Sequence, residues 1–155
     1  MTTDIVIKLQ LPAAYHHLSI LETPIKTLLD QVKHHSDCAT IAYNIQLALH
    51  EICVNIVDHA YKGMTGGQIG ITLTLHPDTV CFVAEVCDTG CTFDPSQVPQ
   101  PDPQEPQVRG YGLFLAKHLM DEVTYTALPE ENRWHLVKHL ATSNRAKEHH
   151  SDTMT

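Results

Sequence analysis

Leu47 to Tyr61 reads LALHEICVNIVDHAY, and its spacing decides how the rest of the chain is read. Glu51, Asn55 and His59 recur at every fourth position inside an apolar pattern of helical period, so they share one face of a helix. A carboxylate one turn from a carboxamide suits two tasks. The first orients a hydroxyl or a water, and the second offers an oxygen to a hard cation such as Mg²⁺. From spacing alone the pair is equally a polar stripe on a half-exposed helix, and the segments downstream weigh between the two.

Val86 to Pro95, VCDTGCTFDP, puts Asp88 at the end of an alternating run with Gly90 in the turn behind it. A buried Asp in that place accepts a hydrogen bond from an exocyclic amine, and the glycine lets backbone approach a flat ring. Arg109 to Leu115, RGYGLFL, sets Gly110 and Gly112 just before an amphipathic helical pattern, where free backbone N–H groups attract phosphate. Each signal is ordinary punctuation when taken singly. Their order along one short chain carries the weight.

These three segments resemble a known set. HEICVNIVDHAY resembles the N box, VCDTGCTFDP the G1 box and RGYGLFLAKHLMDEVTY the G2 box of the GHKL ATPases, the superfamily of gyrase, heat-shock-chaperone, histidine-kinase and mismatch-repair ATPases. Over about Leu9 to Leu140 the wording is most similar to the stand-alone anti-sigma factor serine/threonine kinases, which carry Glu-x-x-x-Asn, Asp-x-Gly-x-x-Phe-Asp-Pro, and Gly-Leu-Phe-Leu followed by Met-Asp-Glu-Val. The resemblance implies an α+β fold, a two-layer α/β sandwich with helices on one face of a mixed, largely antiparallel sheet. By matched positions it implies that Glu51 orients the attacking hydroxyl or water and that Asn55 coordinates Mg²⁺. Asp88 would bind the adenine amine, with Gly90 giving room beside the ring. Gly110, Tyr111, Gly112 and Leu113 would supply phosphate-binding amides, and Arg109 would add charge.

The same resemblance implies a function. It is a serine/threonine kinase that moves the γ-phosphoryl group of ATP to an anti-anti-sigma antagonist, binds a sigma factor by partner switching, and forms a homodimer. The alternative is a binding switch in which ATP sets partner affinity and no phosphoryl group moves. A detached histidine-kinase catalytic domain is a third reading, set back because no phosphoacceptor helix or dimerisation hairpin precedes the domain. Cys91 stands where many superfamily members have a second glycine, a departure that weakens a hydrolase reading more than the kinase reading. His59 and Tyr61 match the usual wording after the Asn, yet their spacing reads as helix packing and termination.

Composition bounds the alternatives. A chain of 155 residues with 43% hydrophobic content makes one domain, taken as 1–141 with a polar tail at 142–155. No apolar run approaches the roughly 18 residues of a membrane span, and MTTDIVIKLQ lacks the pattern of a secretory signal, so the expected place is the cytoplasm. A net charge of −8 offers no basic stripe for nucleic acid. The five cysteines form no Cys-x-x-Cys pair and read as reduced thiols, with Cys91 the one suspected of reactivity. Twelve histidines occur without a zinc-finger framework and read as solvated.

Periodicity supplies the elements. Ile5 to Gln10 alternates as a strand ended by Pro12. A helix follows over about Leu18 to Lys33, with Thr23 as N-cap and Pro24 in a first turn. Thr40 to Tyr61 is the long helix, its core face carrying Ile41, Ile45, Ala48, Leu49, Ile52 and Ile56. Gln68 to Leu75 and Thr79 to Cys87 form a hairpin that delivers Asp88 to a strand end. Pro95, Pro99, Pro101, Pro103 and Pro106 exclude helix and central strand, so about 95–109 is a loop, which the resemblance makes an ATP lid. Leu113 to Met120 is a helix, and Glu122 to Leu128 with Arg133 to Leu140 is a closing hairpin.

Overall fold

A computed structural model describes residues 2–32, 37–94, 104 and 111–140. The expected lid at 95–109, apart from residue 104, lies outside them, as do Arg109, Gly110 and the tail at 142–155. Alternation builds the sheet: β1 (Ile5–Pro12), β2 (Gln68–His76), β3 (Cys81–Asp88), β4 (Glu122–Ala127) and β5 (Asn132–His139) lie in the order β1-β2-β3-β5-β4. All four pairings are antiparallel, the limiting case of the largely antiparallel sheet expected. Register aligns Leu9, Ile71, Val86, Trp134 and Tyr125 across all five strands, so the alternate residues of every strand meet the helices on one face. β5 is inserted between β3 and β4, which sets its first residue, Asn132, directly opposite Asp88.

The helical layer is α1 (Glu22–Leu29), α2 (Cys38–Asn55) and α3 (Gly112–Leu119). On α2 the apolar stripe is buried as its spacing predicts: Ile45, Ala48, Leu49 and Ile52 are fully enclosed, and only Ile41 of the expected set is partly exposed. Burying each of the larger side chains contributes about 1.5–3 kcal/mol relative to exposure, before the cost of ordering it. Phe82 and the β2 residues Ile69, Ile71 and Leu73 close the core from the sheet side. At the end of α3, Lys138 Nζ donates to the Leu119 carbonyl at 2.8 Å, a cation on the negative end of the helix.

Several boundaries differ from the sequence reading. The expected helix over Leu18 to Lys33 is two pieces: a 3-10 segment, Tyr15–Leu21, and then α1, whose N-cap is Leu21 rather than Thr23 while Pro24 keeps its first-turn place. β1 runs through Pro12, tolerable because β1 is an edge strand and proline lacks a donor that the edge does not need. β3 starts at Cys81 because the turn extends through Val80, held at a φ of 50°.

The long helix changes form near its end. α2 stops at Asn55, and Ile56–Ala60 makes one π-turn in which the Tyr61 N–H reaches back to the Ile56 carbonyl at 3.1 Å. The carbonyl of Ala60 is thereby turned outward, where it accepts from the Cys91 N–H at 2.8 Å. Gly90 packs against that carbonyl so closely that a Cβ there would lie 2.3 Å from the Ala60 oxygen. Absence of a side chain, not a left-handed backbone, is what the position demands.

Gly90→Ala should therefore cost about 1–3 kcal/mol in urea unfolding, an overpacking penalty against backbone that cannot rotate away. Gly70→Ala is the contrast, since the nearest atom to its added Cβ, the Cys87 carbonyl oxygen, is 4.0 Å away. Equal losses at the two positions would show that the junction is not tight.

Candidate functional site

The junction between the π-turn and the end of β3 frames a cleft. Asn55, His59 and Ala60 line it from the helical side and Asp88, Cys91, Phe93, Tyr125 and Trp134 from the sheet side. It encloses about 210 Å³ of non-atom space, part of it open to solvent. Three aromatic rings close its far end: Tyr125 and Trp134 have centroids 4.7 Å apart, and Phe93 meets Tyr125 edge-on at 5.8 Å.

Asp88 is 3% exposed and sits at the floor of this cleft. Its Oδ1 accepts from the Gly90 N–H at 3.0 Å and from Asn132 Nδ2 at 2.9 Å. Burial pushes the carboxyl above its ordinary range, and those two hydrogen bonds pull it part of the way back. Tyr61 braces the same turn: its hydroxyl accepts from the Thr89 N–H at 2.9 Å and donates to the Gln68 carbonyl at 2.7 Å. Tyr61 thus terminates and packs, as its spacing suggests, and its ring lies where a Cβ on Gly67 would fall.

Glu51 lies one turn before Asn55, half-buried, where α2 packs against the start of α3. A Cβ on Gly112 would come within 2.5 Å of Glu51 Oε2. This glycine, read from sequence as a phosphate-loop residue, also leaves room for a carboxylate. α3 begins here with Tyr111 as N-cap and no side-chain cap, and the first intrahelical bond is from the Leu115 N–H to the Tyr111 carbonyl at 2.9 Å. The amides of Gly112, Leu113 and Phe114 are therefore outside the helical ladder, as an anion-binding helix start requires. Basic Lys117 and His118 lie in the last turn, and no acidic residue lies in the first.

Of the site residues read from sequence, the structure places Asn55 and Asp88 in the lining of one cleft, with Gly90 in the turn beside Asp88; Glu51 and Gly112 meet each other one turn before Asn55, with Tyr111 and Leu113 flanking Gly112, while Arg109 and Gly110 lie outside the described residues. His59 corrects the packing role read from its spacing: it is exposed, lines the cleft, and its ring is 6.2 Å from Phe93. Asn132, Tyr125 and Trp134 were not singled out in the sequence. Only strand register across β3, β5 and β4 brings them to Asp88. All five cysteines are free; Cys91 is exposed at the cleft, whereas burial pushes the Cys53 thiol up to about 12. No group of three His, Cys, Asp or Glu among the described residues forms a metal cage.

Comparison with known proteins bears on the family and the fold. The pattern of the histidine kinase-like ATPase domain matches residues 12–138. The serine-protein kinase RsbW of Bacillus cereus (strain Q1) is 28% identical over 126 residues, covering 76% of this chain and 74% of that protein. RsbW of Listeria monocytogenes serotype 4a is also 28% identical over 126 residues, 76% of each chain. Among solved structures, the RsbU and RsbW domains of Rv1364c from Mycobacterium tuberculosis superpose with a TM-score of 0.61 at 18% identity over 89% of this chain. This chain spans 33% of that larger one. The histidine kinase domain of a blue-light activated kinase from Erythrobacter litoralis superposes with a TM-score of 0.52 at 14% identity, covering 83% of this chain and 61% of that one. With the domain pattern spanning residues 12–138 and its fold shared by these structures, this chain belongs to the histidine kinase-like ATPase domain family.

Proposed function

We propose that this protein is an ATP-dependent serine/threonine kinase of the anti-sigma type, acting on an anti-anti-sigma antagonist in a partner-switching pathway. The observation that carries the reading is the joint placement of Glu51, Asn55 and Asp88. Asn55 and the buried Asp88 line one cleft, and Glu51 lies one turn before Asn55 with its carboxylate beside Gly112 at the start of α3. The similarity to the RsbW serine-protein kinases supports the choice of acceptor. On the same reading the chain is a cytoplasmic homodimer that also binds a sigma factor, and no nucleic acid or membrane takes part.

Asp88 would hold the base amine of the nucleotide and the amides of Tyr111, Gly112 and Leu113 its phosphates, with Arg109 and Gly110 of the same motif as further phosphate-binding candidates. Uncommitted N–H groups and the positive end of α3 suit anionic oxygens there. Asn55 fits Mg²⁺ through a single hard oxygen, the usual arrangement when phosphates and water complete the coordination shell and no protein cage exists. When bound, the metal offsets phosphate charge during transfer. Glu51 orients the serine or threonine hydroxyl and takes its proton as the oxygen bonds to the γ-phosphorus. The bond from that phosphorus to the bridging oxygen breaks, and ADP leaves.

Replacing Glu51 with Ala should lower phosphotransfer by about 10²–10⁴-fold in a phosphoserine assay with the antagonist while calorimetric ATP affinity holds. Full transfer by that variant would remove Glu51 from the chemistry, and absence of transfer by the wild type with intact ATP-dependent partner binding would favour the switch that moves no phosphoryl group. Asn55→Ala should weaken ATP binding in Mg²⁺ to the level that the wild type shows after chelation, and adding chelator to the variant should change nothing further. As pH falls through the raised carboxyl range of Asp88, the wild type should lose ATP affinity as its acceptor is protonated, a loss beginning at higher pH than an exposed carboxylate would give. Asp88→Asn should show low affinity throughout.

A further inference from the structure

Among the described residues, Asp88 and Asn132 are the two polar side chains buried with the core, at 3% and 4% exposure, and they face each other in the β3–β5 register. The hydrogen bonds around them run in one direction. The Phe93 N–H donates to the Tyr125 hydroxyl at 2.8 Å, so the single phenolic hydrogen is left for the next partner, Asn132 Oδ1, at 3.0 Å. That contact pins the oxygen of the amide on the Tyr125 side and turns its NH₂ toward Asp88. There Nδ2 donates to Asp88 Oδ1 at 2.9 Å and to the Gly90 carbonyl at 3.0 Å, using both hydrogens, with the Cys91 carbonyl sharing one of them at 3.3 Å. Since Gly90 N–H also falls on Asp88 Oδ1, the network spends one carboxylate oxygen fully. Oδ2 takes no hydrogen bond from any described residue, and Asp88 lines the cleft.

We propose that Asn132, oriented by Tyr125, is the positioning residue that sets base discrimination in this site: by occupying Oδ1 of Asp88 it leaves one oxygen, held at a fixed angle, for a base that presents an amine. This rests on the reading that the cleft receives the base of ATP. Asn132 has no donor hydrogen left over for the base. Its effect passes through Asp88, and through the Gly90 carbonyl it also holds the turn beside the ring. An Asp88 freed of this partner rotates about its terminal torsion, accepts from water, and no longer favours a ligand that offers an N–H.

The test compares ATP with purine riboside triphosphate, which lacks only the 6-amino group, by calorimetric titration in Mg²⁺ at fixed pH. The wild type should prefer ATP by about 10–100-fold, the size of one hydrogen bond to a charged acceptor. Asn132→Ala should bring that ratio to within about threefold of unity, mostly through weaker ATP binding, and Tyr125→Phe should give an intermediate ratio. Asn132→Leu keeps about the same volume and introduces no charge but has no NH₂. It should lose the ratio as fully as Asn132→Ala, and it carries the test if thermal unfolding shows the Ala variant to be poorly folded. A parallel fall in both affinities with the ratio intact would reduce Asn132 to a structural role and overturn the inference while leaving the kinase reading standing. A folded wild type that binds neither nucleotide would overturn both.

Discussion

The backbone contact between the end of the helical segment and the end of β3 is the constraint on which the cleft depends. Cys91 N–H meets the Ala60 carbonyl at 2.8 Å, and Gly90 lies flat against the same carbonyl. An unbroken α-helix would have directed that carbonyl along its own axis toward the next turn. The π-turn at Ile56–Ala60 releases it, and the helical layer is thereby tied to the strand that carries Asp88. Separation between Asn55 and Asp88 is set by this tie rather than by side chains, which can hop between rotamers. Tyr61 and Tyr15 reinforce it from either side, the first through Thr89 and Gln68 and the second through a hydroxyl contact with Asp58 inside the π-turn.

A second constraint is the polar pair within the sheet. Two polar groups this deeply buried are tolerable because each is bonded, and the pair would be costly if either lost its partner. Their cost to stability is offset by what they organise. One amide joins the strand end, the turn after it and the hydroxyl of an edge strand, so that β4, remote in sequence, helps hold the ligand-facing carboxylate.

On the proposed reading, a chain with a net charge of −8 must still receive the phosphates of a nucleotide. At this site the relevant charge is local. α3 starts with amides that lie outside the helical ladder and no acidic residue in its first turn, while Lys117, His118 and the Lys138 ammonium sit at its other end. The positive pole therefore has no acidic residue of its own helix against it. Glu51 is the exception, a carboxylate brought close to the helix start because Gly112 has no side chain to exclude it.

Sequence periodicity by itself determined the strands, the core stripe of α2 and the placement of Asp88 at a strand end, because burial on one face writes a period of two or of about 3.6 into the residues themselves. The motif wording likewise pointed to Asn55 and Asp88, which line one cleft, and to Glu51 and Gly112, which meet each other one turn before Asn55. Three things were decided only by tertiary structure. The π-turn left no trace in the pattern, since a single widened turn keeps the same residues on the core side. The 3-10 break before α1 was hidden because Leu18, Leu21 and Ile25 are buried across it and read as one helix. Asn132 and Tyr125 were invisible for the deepest reason: Asn132 lies 44 residues from Asp88, and their meeting depends on β5 entering the sheet between β3 and β4 in one register. A period describes which way a residue points along its own element, whereas the partner across the sheet is chosen by the packing of the whole.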